Sequence, residues 1–282
     1  MNILVTGSSG QLGSEIVRQL AVLGSPHRLV SIDINPGSTT HWNMSVNHRE
    51  QIFEITRNID VIIHTASLHG KHVDLNCPKL DFVRTNIEGT LNLLEAAVAN
   101  RVRKFIYTST TSIYGKSMAD KDRAVWVTEE LTPQPRDIYD ITKLAAENLC
   151  RDFAERNQLP VFVLRIARFY REDPNLLANY RLYRGLDVRD GAAAHILAVD
   201  SKEPGFHILN ISSASPFQES ELAELRNNPA AVITRYFPEA VEIYKYKHWQ
   251  FPDTIDRVYV IEKARQILGY CPRYNYKEFI SS

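Results

Sequence analysis

The sequence predicts an α/β fold built on a doubly wound parallel sheet, and three observations carry that expectation. Short β-branched or apolar runs alternate with longer helical patterns through the first 165 residues. A glycine-rich turn joins the first run to the first helical stretch, and an aspartate closes the second run. After Arg165 the pattern changes to a polar, Tyr- and Arg-rich stretch, which reads as a smaller lobe over the carboxyl edge of the sheet.

Taken in order, the expected strands are Ile3 to Val5, Leu29 to Ile34, Val61 to Ile63, Phe105 to Tyr107 and Val161 to Leu164. Between them Gln11 to Leu23, His48 to Ile55, Leu80 to Ala99 and Ile138 to Ala154 carry apolar residues at helical spacing. Right-handed crossovers of that length place helices on both sheet faces. Beyond Tyr170 to Arg189 come a helix near Gly191 to Val199 and a strand at Phe206 to Ile211. The expected division is 1–165 for the dinucleotide-binding sheet and 166–282 for a small substrate-binding lobe whose returning elements pack on the sheet.

Composition narrows the function classes. The chain has 282 residues, 44% hydrophobic and 23% charged, enough for a packed core, which excludes a disordered or disulfide-held miniprotein. Thirty-three basic residues balance thirty-three acidic ones, so nothing favours a nucleic-acid backbone or an anionic membrane. Cys77, Cys150 and Cys271 are widely spaced and form no zinc pattern, which fits a reducing compartment. Met1 to Val5 passes at once into Thr6 and Gly7, and no run approaches the roughly 20 apolar residues of a membrane span. The expectation is a cytoplasmic protein without a metal site, a nucleic-acid partner or a membrane partner.

The first chemical signature is Thr6-Gly7-Ser8-Ser9-Gly10-Gln11-Leu12-Gly13, placed between a strand and a helix start. Gly7 permits the tight turn, Gly10 lets a pyrophosphate approach the backbone, and Gly13 lets the helix pack against the sheet. The helix start adds amide donors and partial positive charge for the phosphates, with Ser9, Gln11 and Leu12 in the same turn. Asp33 follows twenty residues beyond Gly13, where a carboxylate accepts from ribose hydroxyls and repels a 2′-phosphate. The cofactor expected is therefore NAD.

The second signature is Tyr139 and Lys143, four apart on one face of a predicted helix. Taking hydride from a secondary alcohol needs a base for the hydroxyl proton, and a free tyrosine with pKa about 10 is mostly protonated at pH 7. The missing 3 units amount to about 4 kcal/mol, which one ammonium about 4 Å away supplies at an effective dielectric near 20. Thr110, just after the strand Phe105 to Tyr107, adds a hydroxyl that orients the reacting oxygen. Tyr259 and Lys263 repeat the spacing in the tail, without that context.

TGSSGQLG, VIIHTAS at Val61 to Ser67, TNIEGTLNLLEAA at Thr85 to Ala97, FIYTSTTSIYG and YDITK together resemble the extended short-chain dehydrogenase/reductase family, in its NAD-dependent epimerase/dehydratase branch. The resemblance spans nearly the whole chain and implies a Rossmann-type fold. It also implies an NAD-dependent oxidoreductase acting on a sugar or nucleotide sugar, with an epimerase or a dehydrogenase outcome. It carries over Gly7, Gly10, Leu12 and Gly13 as the phosphate turn, Asp33 as the ribose acceptor, and Thr110, Tyr139 and Lys143 as the catalytic trio. Asn43 and Met44 fall near the adenine, Ala66 lines the cofactor cleft, and Asn86 neighbours the active site. It further implies a homodimer, with Leu80 to Ala99 and Ile138 to Ala154 meeting their symmetry mates.

Departures from the pattern refine the expectation. Trp42-Asn43 replaces the usual Gly-Asp, and Thr111-Ser112 follows Thr110 where 4,6-dehydratases carry Asp-Glu, so dehydration is disfavoured. Only Ile166 to Gly185 stands where nucleotide-sugar epimerases insert several tens more residues, which favours a smaller substrate. Asn179-Tyr180-Arg181 resembles the free-sugar, uronate-type dehydrogenase branch, the alternative outcome, with Arg181 set to pair with a carboxylate or phosphate. Ser67, His69, Thr111 and Arg168 complete the substrate candidates, whereas His64 reads as packed core and Asp256 to Tyr259 as structural tail. The alternative from another class is a noncatalytic NAD-binding sensor or assembly protein, which retention of the trio argues against.

Overall fold

The computed structural model describes residues 1–22 and 27–281, so Leu23, the expected end of the first helix, lies outside the described residues. The main sheet uses β1 (Asn2–Thr6), β2 (Arg28–Asp33), β3 (Trp42–Asn43), β4 (Val61–His64), β5 (Lys104–Thr110), β7 (Val161–Ile166) and β8 (Phe206–Ile211). A short strand, β6 (Val125–Val127), lies apart from it. The strand order is β3-β2-β1-β4-β5-β7-β8, and every pair is parallel. The direction of strand addition reverses at β1, between β2 and β4, and open α/β sheets bind ligands at the carboxyl ends beside such a reversal.

Side-chain alternation divides the core. Ile3 and Val5 point to one face and Leu4 to the other; Ile63 and Ile62 divide likewise, as do Ile106 and Phe105. One face is covered by α1 (Gln11–Val22) and α8 (Val188–Asp200), the other by α2 (Arg49–Ile55), α5 (Gly89–Ala99) and α6 (Ile138–Asn157). Both faces are therefore buried, which explains the nearly unbroken apolar runs of the strands.

Helix ends follow local chemistry. The Asp137 carboxylate accepts from Asp140 N at 2.9 Å and starts α6, which ends on Gln158 in the left-handed region at φ 55°. The C-terminal end of α8 is held by Lys104, whose buried ammonium donates to the carbonyls of Ala198 at 2.8 Å, Val199 at 2.6 Å and Ser201 at 2.5 Å.

Two features differ from the expectation. The single helix expected over Leu80 to Ala99 is three segments: α4 (Lys79–Phe82), a π-helical turn at Val83–Glu88, and α5. Within that turn the Asn86 carbonyl accepts from Thr90 Oγ1 at 2.7 Å, a side-chain donor beside the widened ladder. The second feature is β9 (Arg257–Tyr259), which pairs in parallel with β6 and carries the supposed tail back to the main body. A third apolar cluster, with Ala178, Leu182, Phe217, Val232, Tyr244 and Tyr276, assembles the remaining helices, among them α7 (Pro174–Arg181).

Candidate active site

A cleft of about 1260 Å³ runs along the carboxyl ends of the strands, from the glycine turn past Thr110 to Tyr170 and Tyr259. At its cofactor end Gly7 sits at φ +71°, and a Cβ there would lie 2.6 Å from Ala66 N. A Cβ on Gly13 would lie 2.1 Å from the Gly7 carbonyl oxygen, so this helix start needs glycine. At Gly10 an added Cβ would meet only that oxygen, at 3.1 Å, which leaves the turn's outer side open to the cleft. Thr65 Oγ1 ties the neighbouring strand end down by donating to Thr6 O at 2.7 Å. The first amides of α1 have no intrahelical partner and face this end, so the turn fits a pyrophosphate.

Asp33 borders the same end and holds the turn: Oδ2 accepts from Ser9 N at 2.9 Å and Oδ1 from Asn35 N at 2.8 Å. Each oxygen has further lone-pair capacity for a ribose hydroxyl. The hydroxyls of Ser8 and Ser9 both lie 2.7 Å from Thr40 Oγ1, which packs the segment after β2 onto the turn. Ser9, Gln11, Leu12, Met44 and Ala66 all border the cleft. Asn43 does not: it is an exposed residue of the edge strand β3.

At the other end Thr110 closes β5 and its Oγ1 accepts from Ser112 N at 3.1 Å. Tyr139 and Lys143 project from the first turns of α6 into the cleft. Burial pushes the Tyr139 phenol above its ordinary range, and a hydrogen bond with Thr110 works against that rise. Burial lowers the Lys143 ammonium to about 7, against the pull of Glu147. Its Nζ donates to Thr108 O at 2.7 Å and lies 4.1 Å from the centroid of the Tyr107 ring.

The substrate candidates separate. Ser67, His69, Thr111 and Arg168 border the cleft. Burial lowers His69 to about 4, helped by His72 and Lys71, and its Nδ1 lies 3.2 Å from the Tyr170 hydroxyl. Arg168 pairs with Glu172, Nε to Oε1 at 2.8 Å. Asn86 is buried behind the wall, where its Oδ1 accepts from Leu68 N at 2.8 Å and its Nδ2 donates to Thr142 Oγ1 at 3.0 Å. It holds the Ser67–Leu68 loop against α6.

Arg181 turns away from the cleft. Its guanidinium pairs with the Asp187 carboxylate at 2.7 Å, donates to the Tyr274 carbonyl and packs over the Phe279 ring. The neighbouring arginine in the same run, Arg184, borders the cleft, as do Tyr170, Arg257 and Tyr259. The Tyr-Arg repetition of NYRLYRG marks this stretch, but the end of α7 at Arg181 and the turn that follows decide which arginine faces the cleft. Arg257 and Tyr259 arrive on β9, whose pairing with β6 has no local sequence signal.

A parallel sheet with a glycine turn at its reversal, joined across one cleft to a Thr, Tyr and Lys set, defines an extended short-chain dehydrogenase/reductase. The model of the NAD dependent epimerase/dehydratase family matches residues 3–177, and the chain belongs to that family. It is accordingly an NAD-dependent enzyme. The uncharacterized protein y4nG of Sinorhizobium fredii is 27% identical over 96% of this chain and 75% of its own length. The UDP-N-acetyl-alpha-D-glucosaminuronate decarboxylase of Bacillus cytotoxicus is also 27% identical, over 78% of each chain. Against three other relatives the chain spans only 51% to 62% of their length. Among solved structures, MoeE5 in complex with UDP-glucuronic acid and NAD superposes with a TM-score of 0.74 at 24% identity, over 100% of this chain and 97% of that one, and so shares the fold.

Proposed function

We propose that this enzyme moves hydride between NAD and a secondary alcohol of a sugar or nucleotide sugar, giving an epimer if the oxidised sugar is reduced again before release and a dehydrogenase product if it leaves. The observation that carries the reading is the convergence of Thr110, Tyr139 and Lys143 on the cleft that begins at the glycine turn. The matched family and a UDP-sugar decarboxylase among the relatives support the substrate class.

When bound, NAD supplies the hydride acceptor. Tyr139 Oη takes the hydroxyl proton as the alcohol becomes a ketone, and Thr110 Oγ1 holds the reacting oxygen. Buried Lys143, one helical turn away, favours the phenolate electrostatically. In the reductive direction the neutral phenol, which burial favours, returns the proton. Gly7, Gly10, Gly13 and Asp33 hold the dinucleotide, and Ser67, His69, Thr111 and Arg168 face the sugar.

Three further assignments accompany this one. Exposed Leu80, Val83 and Ile141 lie along α4, the π-turn and α6, and support a homodimer formed through these helices. Free thiols at Cys77, Cys150 and Cys271 support a cytoplasmic site of action. The division into 1–165 and 166–282 is kept as the functional one, with β8 returning from the second part to the sheet.

The test is to incubate the protein with NAD and, separately, UDP-glucose, UDP-glucuronic acid and free glucuronic acid, following NADH absorbance and product stereochemistry by NMR. Turnover that Tyr139→Phe abolishes is expected. Tight NAD binding with no turnover on any sugar, unaffected by Tyr139→Phe, would overturn the proposal in favour of a noncatalytic NAD sensor.

A further inference from the structure

The proton chemistry above leaves unused the buried carboxylate that follows Lys143 on α6. Glu147 stands one helical turn beyond Lys143 on α6, with its side chain 3% exposed. Arg165 on β7 closes on it, Nε to Oε1 at 3.1 Å and Nη2 to Oε2 at 2.8 Å. From β5, Ser109 Oγ donates to the same Oε1 at 2.5 Å. Two strands therefore fix the carboxylate in place. Arg165 is anchored in turn: its Nη1 donates to the Tyr114 hydroxyl at 3.0 Å, and that hydroxyl donates to Asn210 Oδ1 on β8 at 2.7 Å.

Lys143 needs such a partner. From α6 it faces Glu147 and Cys150; from β5, the Tyr107 ring and the Thr108 carbonyl; from β4, His64. Burial holds His64 neutral and pushes the Cys150 thiol far up, so neither carries charge near neutral pH. Of the groups that favour the ammonium, this leaves Glu147 as the one bearing a negative charge. Without it, the guanidinium of Arg165 would be a second buried cation beneath the first.

We propose that Glu147 is a positioning residue for Lys143: clamped by Arg165 and Ser109, it balances the buried ammonium and favours its charged, Thr108-bonded form under the floor of the cleft. A purely structural Glu147 would only neutralise Arg165. The proposal rests on the catalytic reading of Lys143.

The first readout needs no turnover: the titration of Lys143 Nζ, followed by NMR of the isotopically labelled lysine in the intact chain. Lys143 should titrate about one pH unit lower in Glu147→Gln than in the parent, a tenfold change in proton affinity, and close to the parent in Glu147→Asp. The double variant Glu147→Gln with Arg165→Met leaves no orphaned guanidinium and guards against misfolding; it too should titrate below the parent, and an unchanged value there overturns the proposal. The second readout is the pH profile of kcat, whose alkaline limb should move to lower pH in Glu147→Gln and return in Glu147→Asp. An unmoved limb overturns the proposal as well. A shifted Lys143 titration in a chain that transfers no hydride to any of the sugars upholds the Glu147 coupling and overturns the catalytic reading instead.

Discussion

The Lys143 ammonium donates to the Thr108 carbonyl oxygen at 2.7 Å, and this bond ties a helix side chain to the last residues of β5 where Thr110 stands. The phenol of Tyr139, one turn earlier on the same helix, hydrogen-bonds with Thr110 at that strand end. At about 7, Lys143 is divided between charged and neutral forms at physiological pH, so the local environment decides how well it supports a phenolate.

Tyr139→Phe removes the hydroxyl proposed to take the substrate proton while preserving ring volume. The expected outcome is a fall in kcat of roughly 10²- to 10⁴-fold, with NAD affinity changed less than about threefold. Single-turnover NADH formation and equilibrium NAD binding, measured on the same preparation, check both halves. A variant that keeps a tenth of parental turnover would remove Tyr139 from the mechanism.

Gly13→Ala tests the cofactor end without touching the chemistry. Its Cβ would lie 2.1 Å from the Gly7 carbonyl oxygen and 2.9 Å from Thr65 Oγ1, so the backbone of the turn must move. NAD affinity should fall more than about tenfold, with a stability loss of roughly 1–3 kcal/mol. Isothermal titration and thermal melting measure the two effects. Gly70→Ala is the control, since an added Cβ there meets nothing within 4 Å.

These residues also show what a sequence can and cannot reveal. The glycine turn, Asp33 and the Tyr139/Lys143 spacing were legible because each depends on local backbone geometry: a turn, a strand end, one face of a helix. The sheet was legible because both faces are buried, and the strands read as apolar runs. Arg181 and Arg184 could not be told apart, because α7 ends at Arg181 and the chain turns after it, which leaves one arginine in the lobe and the other at the cleft. Asn43 failed to reach the cleft because the edge strand bearing it has only two residues, both exposed. Arg257 and Tyr259 were hidden because their position depends on β9 pairing with β6, more than a hundred residues away in the chain.

Two buried imidazoles make stability depend on pH. His64 Nε2 lies 3.0 Å from Thr90 Oγ1, whose own proton goes to the Asn86 carbonyl, so Nε2 is the donor and Nδ1 accepts from Thr6. His195 Nδ1 donates to the Gly191 carbonyl at 2.7 Å, and its Nε2 accepts from Thr108. Burial lowers His64 to about 3 and His195 to about 4, whereas both protonate near 6.5 in the unfolded chain. Between those limits the unfolded state binds more protons, so stability falls as the pH drops from 6.5 towards 3 and is level above 6.5 on this account. At pH 5 each histidine accounts for about 2 kcal/mol of loss relative to pH 7. Urea unfolding at pH 7 and pH 5 measures the sum, to which the half-buried His69 adds in the same direction, and His64→Gln should remove about a third to a half of the difference. Equal stability at the two values would show that the imidazoles are solvated.

Asp33→Asn asks whether the carboxylate acts through charge or shape. Both of its oxygens accept backbone protons, from Ser9 and from Asn35. A carboxamide can accept through one oxygen only, so one backbone N–H would face an NH₂ group and lose its bond. Leaving that donor unpaired costs roughly 1–3 kcal/mol, and part of the cost falls on the glycine turn itself because Ser9 lies within it. NAD affinity should therefore drop about tenfold or more even though the side chain is nearly isosteric. Asp33→Glu keeps both the charge and the two acceptors but extends the reach, so it should retain more affinity than Asn if charge and acceptor count matter and less if exact reach matters. Titrating NAD into the three proteins distinguishes these outcomes, and equal affinity in all of them would leave Asp33 as a turn support with no part in holding the dinucleotide.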